Sequence, residues 1–131
     1  IGRAFELTLA PQADRPDKAD LSLVIERLAD DIEHAPTLDE LAALAGISRY
    51  ALVRQFGRRH GLPPMAWLTQ LRLQRARDRI AAGWTLADTA LSCGFSDQSH
   101  LTRLFTRQFG HTPGAWHKAT ATHRSRSART F

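Results

Sequence analysis

Residues 94–110 read GFSDQSHLTRLFTRQFG and carry the clearest structural signal in this chain. Gly94 permits the left-handed backbone that a tight turn between two helices often needs. Ser96 has a side chain that can accept a hydrogen bond from a free amide at the start of a helix, so we expect it to be the N-cap. With residues 85–93 as a preceding helix, the pattern predicts a helix-turn-helix.

The second helix of this unit is predicted to have two different faces. One face is mostly apolar and carries Leu101, Leu104, Phe105 and Gln108. The other face repeats at i, i+3, i+4 and i+7 and carries Ser99, Thr102, Arg103 and Thr106. Short hydroxyl side chains around one long bidentate donor suit hydrogen bonding to base edges in a DNA major groove.

The same pattern occurs earlier in the chain. Residues 37–48 match residues 85–96 at an offset of 48, and residues 52–67 match residues 101–116 at an offset of 49. Arg54 and Arg103 coincide in this alignment of the chain with itself. An internal repeat of this size indicates one supersecondary unit used twice. We therefore expect two small lobes, each with its own helix-turn-helix.

Two such units, a long helix between them and the run from Gly94 to Trp116 resemble the DNA-binding domain of the AraC/XylS family of bacterial transcription regulators. The resemblance covers about residues 21–118. It implies an all-α fold of about seven helices, with helix-turn-helix units at 37–60 and 85–109 joined by a linker helix at 63–82. It also implies a sequence-specific regulator of transcription that inserts two recognition helices into successive major grooves of double-stranded DNA.

The resemblance also assigns roles to individual residues. The residues expected to read bases are Tyr50, Val53, Arg54, Gln98, Ser99, Thr102 and Arg103. Those expected to contact phosphates are Ser48, Arg49, Arg58, Arg59, Ser96, Thr106 and Arg107. Val53 stands where the family often has a polar base reader, which implies weaker base readout by the first unit. The alternative for the first unit makes Tyr50 a core residue and Arg54 a surface ion.

The linker helix has a suitable length for this role. Twenty residues from Pro63 to Ala82 would span about 30 Å at 1.5 Å per residue, and one turn of B-DNA is roughly 34 Å. Its arginines are Arg72, Arg75, Arg77 and Arg79. They could contact phosphates or face solvent, and their different directions around the helix favour solvent for most of them.

Charge is distributed unevenly along the chain. Residues 1–45 carry 4 basic and 10 acidic side chains, and residues 46–131 carry 14 basic and 3 acidic ones, giving the formal net charge of +5. This asymmetry favours a polyanionic partner for the second part, although a basic solubilising surface would look the same. All the basic residues after Gly46 except Lys118 are arginines, which suit forked contacts to phosphate and guanine.

The two ends of the chain are predicted to differ from its centre. Residues 3–9 alternate like a short strand and residues 10–20 resemble a linker, so residues 1–20 are interpreted as the end of an upstream sensing or dimerisation domain that this chain lacks. A first helix is expected over residues 21–34, with an acidic face that is solvated or, alternatively, contacts RNA polymerase. Residues 119–131 are expected to be a flexible basic tail that adds phosphate affinity.

Other classes of function find little support in the sequence. None of the six histidines lies at a recognised zinc spacing, Cys93 is the single cysteine, and catalytic motifs and glycine-rich phosphate loops are missing. We therefore expect no enzyme activity, metal or cofactor. No apolar run is long enough to span a membrane, and a cytoplasmic location is expected. A protein-interaction module is the main alternative, but it leaves the coincidence of Arg54 and Arg103 unexplained.

Overall fold

The computed structural model describes the backbone of residues 20–130 and the side chains as far as residue 125. This part of the chain contains helices and no strand, so the predicted all-α class is confirmed. The helices are α1 (Leu21–Asp30), α2 (Leu38–Ala45), α3 (Arg49–His60), α4 (Pro64–Ala81), α5 (Leu86–Ser92), α6 (Gln98–Phe109) and α7 (Pro113–Thr130). The strand predicted at residues 3–9 lies outside the described residues, as does nearly all of the linker after it.

The chain divides into two compact units, as the internal repeat predicts. Among the described residues, the first comprises residues 20–31 and Ala35–Leu68, and the second comprises Ile32–His34 and residues 69–130. Helix α4 contributes residues to both units. Each unit contains one helix-turn-helix, α2 with α3 in the first and α5 with α6 in the second.

The core of the first unit forms where α1 packs on α2 and α2 packs on α3. Its buried apolar side chains include Val24, Leu28, Leu41, Leu52 and Phe56. These positions follow the helical period of the sequence, so each helix presents one apolar stripe to its neighbour. Burial of this kind is the main force that holds so small a unit together.

Helix α1 ends at Asp30, four residues before the predicted end. The prediction followed the apolar period as far as Ile32, but that residue is not in the helix. Ile32 belongs to the second unit, where its side chain is buried and its carbonyl oxygen accepts a hydrogen bond from Arg72. A residue can therefore match the helical period and yet be buried for another reason.

The core of the second unit forms between α5, α6 and α7, where α5 packs on α6 and α6 packs on α7. Leu101 and Phe105 of α6 are fully buried. Trp116 of α7 is half-buried beside this core, and its ring nitrogen donates a hydrogen bond to the carbonyl oxygen of Arg77 at 2.9 Å. A buried tryptophan is generally found with such a partner for its N–H group.

The prediction that most of the linker arginines face solvent is wrong. Arg72 Nε donates to the carbonyl oxygen of Ile32 at 2.6 Å. The guanidinium of Arg77 lies 4.9 Å and 4.7 Å from the centres of two aromatic rings, one on α6 and one on α7. Arg79 donates to a serine hydroxyl of α5 at 2.6 Å, and among these four arginines Arg75 alone is exposed. The others pack because a long apolar stem can cover a core while its charged end finds acceptors or aromatic faces.

The C-terminal residues also differ from the prediction of a flexible basic tail over residues 119–131. Helix α7 continues from Pro113 to Thr130. Arg124 Nη1 donates to the carbonyl oxygens of Ile80, at 3.2 Å, and Ala81. These carbonyls lie in the last turn of α4, where the helix supplies no i+4 partners, and the Ile80 oxygen also accepts from the Gly83 N–H at 3.0 Å. The sequence gives no signal for this contact, because a single arginine makes it and the segment around that arginine is polar.

Candidate nucleic-acid interface

The first recognition helix, α3, begins and is oriented as the sequence predicts. Ser48 accepts a hydrogen bond from the Ala51 amide at 3.1 Å and so acts as the N-cap. Gly46 adopts the left-handed backbone of the turn, with φ 73°. The N-cap of helix α2 is Thr37, whose hydroxyl accepts from the Glu40 amide at 3.1 Å. Local hydrogen bonds thus fix the residue at which each of these two helices begins.

The outer face of α3 carries the predicted base readers of the first unit. Tyr50 is 72% exposed, which excludes a core role for its ring within this unit. The Arg54 guanidinium carbon lies 5.2 Å from the centre of that ring, in a cation–π arrangement one helical turn away. Val53, between them in sequence, is partly exposed. The three residues form one surface, called the first reading face below.

The second recognition helix, α6, begins one residue later than predicted. Asp97 is the N-cap, and its carboxylate accepts a hydrogen bond from the His100 amide at 2.7 Å. The Ser96 N–H donates to His100 Nδ1 at 3.2 Å. The extra residue of the second copy explains the difference, because the offset of 49 places Asp97 opposite Ser48.

Helix α6 brings together the four residues predicted to read bases in the second unit. They line one open surface concavity of about 550 Å³, formed by Gln98, Ser99, Thr102 and Arg103. Ser99 and Arg103 are exposed. The Thr102 hydroxyl donates to the carbonyl oxygen of Gln98 at 2.9 Å, which fixes its rotamer. Ser99, Thr102 and Arg103 are called the second reading face below.

The structure disagrees with one predicted phosphate contact. The hydroxyl oxygen of Thr106 is buried and has no hydrogen-bond partner among the described residues. Thr106 follows Thr102 by one turn, but the rotation of the helix carries its hydroxyl toward the protein. The other predicted phosphate contacts of the two helices are exposed, namely Ser48, Arg49, Arg58, Arg59, Ser96 and Arg107. Of these, Arg49 Nη1 lies 3.6 Å from an Asp39 carboxylate oxygen, and both side chains are exposed.

The turn of the second helix-turn-helix is held in place by Ile32 and Arg72, to which the sequence analysis gave no role in this turn. Gly94 has φ 87°, and a Cβ there would come within 2.6 Å of the Ile32 carbonyl oxygen and 2.7 Å of the Arg72 guanidinium. Glycine is therefore needed both for its backbone conformation and for space. Arg72 thus positions the turn that precedes the second reading face, although its own side chain does not belong to that face.

Residues with other reactive chemistry are buried or scattered. Cys93 is buried, and burial raises the pKa of its thiol although the nearby Arg79 guanidinium acts in the opposite direction. A thiol of this kind is inert and structural. Within the described part of the chain, no three His, Cys, Asp or Glu side chains lie close enough to hold a metal ion. None of the helices described there is long and apolar enough to cross a membrane.

Comparison with known families gives a match that includes both recognition helices and the linker helix between them. Residues 41–119 match the family model described as a helix-turn-helix domain. The transcriptional activator RhaS of Escherichia fergusonii is 33% identical over 103 residues, which is 78% of this chain and 37% of RhaS. The chain spans about a third of the length of the curated relatives it matches.

Solved structures show the same similarity in three dimensions. A probable AraC family transcriptional regulator from Rhodopseudomonas palustris is 31% identical, with a TM-score of 0.69 over 76% of this chain and 95% of that one. The DNA-binding domain of the global transcriptional factor AdpA, in complex with a target DNA, is 27% identical. Its TM-score is 0.74, over 80% of this chain and 96% of that domain.

Proposed function

Because this chain belongs to the AraC-type helix-turn-helix family of DNA-binding domains, we propose that it is the DNA-reading part of a bacterial transcription regulator. Its ligand is double-stranded DNA, and α3 and α6 are the two recognition helices. The observation that carries this proposal is the equivalence of Arg54 and Arg103. They occupy the same place in the internal repeat, each on the outer face of a capped helix.

In this proposal each arginine reads guanine in a major groove. A guanidinium can donate two hydrogen bonds, to O6 and N7 of guanine, and the side chains beside it contact neighbouring base edges. On the second reading face, the concavity shared with Gln98 gives room for such an edge. The 18 residues of α4 correspond to about 27 Å of helix. That length is compatible with two recognition helices in successive grooves of one duplex, roughly 34 Å apart.

Phosphate contacts supply the part of the affinity that does not depend on sequence. Arg58 and Arg59 lie in the last turn of α3, and both are exposed, as is Arg107 on α6. Each phosphate that such a cation neutralises releases a condensed counterion, so binding weakens as salt rises. The excess of arginine after residue 46 fits this role.

The regulator would act on transcription together with other parts and partners. RhaS is named as an activator, and we propose that this regulator contacts RNA polymerase. In the first unit, the exposed carboxylates of Glu26 and Asp30 are our candidates for that contact. A sensing or dimerisation domain would lie in the part of such a regulator that this chain does not span. In this proposal the protein acts in the cytoplasm, where it binds chromosomal DNA, and its role is that of the transcription regulators it resembles.

The proposal is tested by comparing a predicted base reader with a predicted phosphate contact. Arg103→Ala should weaken binding to the selected site by about 1–3 kcal/mol and relax one base position, while binding to random DNA changes little. Arg58→Ala should weaken binding to both DNAs alike and reduce the slope of log K against log salt by about 1. Both effects are measured by fluorescence anisotropy across a salt series. Equal losses on specific and random DNA for Arg103→Ala would contradict its reading role.

A further inference from the structure

The two reading faces have the same arginine but different neighbours. The internal repeat pairs Tyr50 with Ser99, Val53 with Thr102 and Arg54 with Arg103. We infer that the first reading face recognises thymine methyl groups beside its guanine, whereas the second recognises its guanine among polar contacts. This inference rests on the proposed function. The DNA site is therefore asymmetric in its dependence on thymine methyl groups.

The first reading face is apolar around its arginine. Tyr50 presents 72% of its surface to solvent, and a tyrosine ring of that exposure contributes little to a core. Val53 adds a branched aliphatic surface one turn along, and it is also partly exposed. The thymine C5 methyl is the apolar group that base pairs offer in the major groove. A surface with a ring and two methyl groups is thus complementary to thymine.

The stacking of Arg54 on Tyr50 favours one arrangement of the two groups before DNA arrives. The guanidinium carbon lies 5.2 Å from the ring centre, which restrains two side chains that would otherwise sample many rotamers. Ordering side chains in advance lowers the cost of binding. The pair therefore presents the guanidinium donors that can bind guanine and the apolar surface of an aromatic ring side by side. This arrangement suits a base step that contains guanine next to thymine.

The second reading face has no aromatic ring beside its arginine. Ser99 is exposed and carries a hydroxyl where the first face has a ring. Thr102 donates its hydroxyl proton to the carbonyl oxygen of Gln98, so its oxygen remains an acceptor and one methyl group remains for apolar contact. Arg103 is exposed, and its neighbours Ser99 and Thr102 offer no aromatic ring on which its guanidinium could stack. We expect a small methyl dependence here, from Thr102 at most.

The test replaces thymine with uracil, which lacks the C5 methyl and keeps the same hydrogen-bonding edge. Selection from random duplexes first gives the bound site, and Arg54→Ala and Arg103→Ala identify which half each face reads. Uracil is then placed in one half at a time, and affinity is measured by anisotropy. We expect about a fourfold loss for each methyl that Tyr50 or Val53 covers, and twofold or less in the other half.

The chain provides its own control variants. Tyr50→Ser with Val53→Thr gives the first face the neighbours of the second, and the uracil effect in that half should fall to twofold or less. Ser99→Tyr with Thr102→Val should create the effect in the other half. Circular dichroism checks that each variant folds.

Three results would overturn the inference while leaving the proposed function intact. They are a first half-site without thymine, equal uracil effects in the two halves, and an effect that survives Tyr50→Ser with Val53→Thr. Absence of any selected site would instead overturn the proposed function. The two failures are therefore distinguishable.

Discussion

At the scale of single residues, Gly57 is a glycine that contacts within the protein do not require. It lies on α3 one turn after Val53 and Arg54, on the same side of the helix. A Cβ added to it would meet no described atom within 4 Å apart from its chain neighbours and the nearby backbone of its own helix, and its φ is not positive. Glycine inside a helix costs about 1 kcal/mol relative to alanine. The free space is consistent with close approach of DNA.

Gly57→Ala should therefore have opposite effects on stability and on binding. We expect the free energy of unfolding to rise by about 0.5–1 kcal/mol, because alanine is the better helix former. We expect affinity for the selected DNA site to fall, because the added methyl group occupies the space beside the first reading face. Urea denaturation and anisotropy measure the two effects.

Gly114→Ala is the matched control for this substitution. Gly114 is also helical, and its nearest neighbour for an added Cβ is the Thr112 hydroxyl at 3.9 Å. It lies on α7, away from both reading faces in sequence. This variant should be stabilised without losing DNA affinity. If Gly57→Ala binds DNA as well as the unchanged protein, the glycine has no role in binding.

At the scale of helices, N-caps decide where the two recognition helices begin. Ser48 caps α3 and Asp97 caps α6, and each accepts from the amide three residues later. Ser96 resembles Ser48 in sequence but lies one residue too early, and its side chain does not cap. Hydroxyl and carboxylate caps are close to equal in strength, so sequence type alone did not separate the two candidates.

Alanine substitution separates the two candidate caps directly. Asp97→Ala should lower the free energy of unfolding by about 1 kcal/mol, because it leaves the His100 amide without its acceptor. Ser96→Ala should change it by less than about 0.5 kcal/mol. Both values come from urea denaturation followed by circular dichroism. A larger loss for Ser96→Ala than for Asp97→Ala would contradict the observed start of α6.

Most helices and the faces of both recognition helices could be predicted from the sequence. The repeat carries its capping residues, turn glycines and apolar period in local sequence, where such signals can be recognised. The contacts that failed prediction are long-range. Arg72 meets Ile32 across 40 positions and Arg124 meets Ile80 across 44, and no local pattern indicates which arginine finds a carbonyl. The buried hydroxyl of Thr106 has a different cause, the rotation of α6 between Thr102 and Thr106, which the sequence analysis did not take into account.

At the scale of the whole molecule, the second unit extends to the C-terminal helix. Arg124 of α7 donates to the terminal carbonyls of α4, and its guanidinium lies 3.7 Å from where a Cβ of Gly83 would be. The end of the linker helix and the turn after it are thus covered by α7. The sequence alone would place the boundary of the folded domain near Lys118, before this contact is made.

Replacing this arginine should destabilise the second unit. Arg124→Ala should lower the free energy of unfolding by about 1.5–3 kcal/mol, since hydrogen bonds from a charged donor are lost at partly buried acceptors. His123→Ala, next to it in sequence but exposed, serves as the control and should change stability by less than about 0.5 kcal/mol. Thermal and urea denaturation measure both. Equal stability of the two variants would show that the contact contributes nothing.

The central claim for the whole molecule is that it reads two separate sequences with two similar recognition helices. Selection of bound duplexes from a random pool, at about 150 mM salt to weaken nonspecific phosphate binding, tests this most directly. We expect two short motifs, each containing guanine, with centres about 10 base pairs apart. Enrichment of a single motif would reduce one helix to a phosphate clamp. No enrichment at all would contradict the claim and favour a protein-interaction module instead.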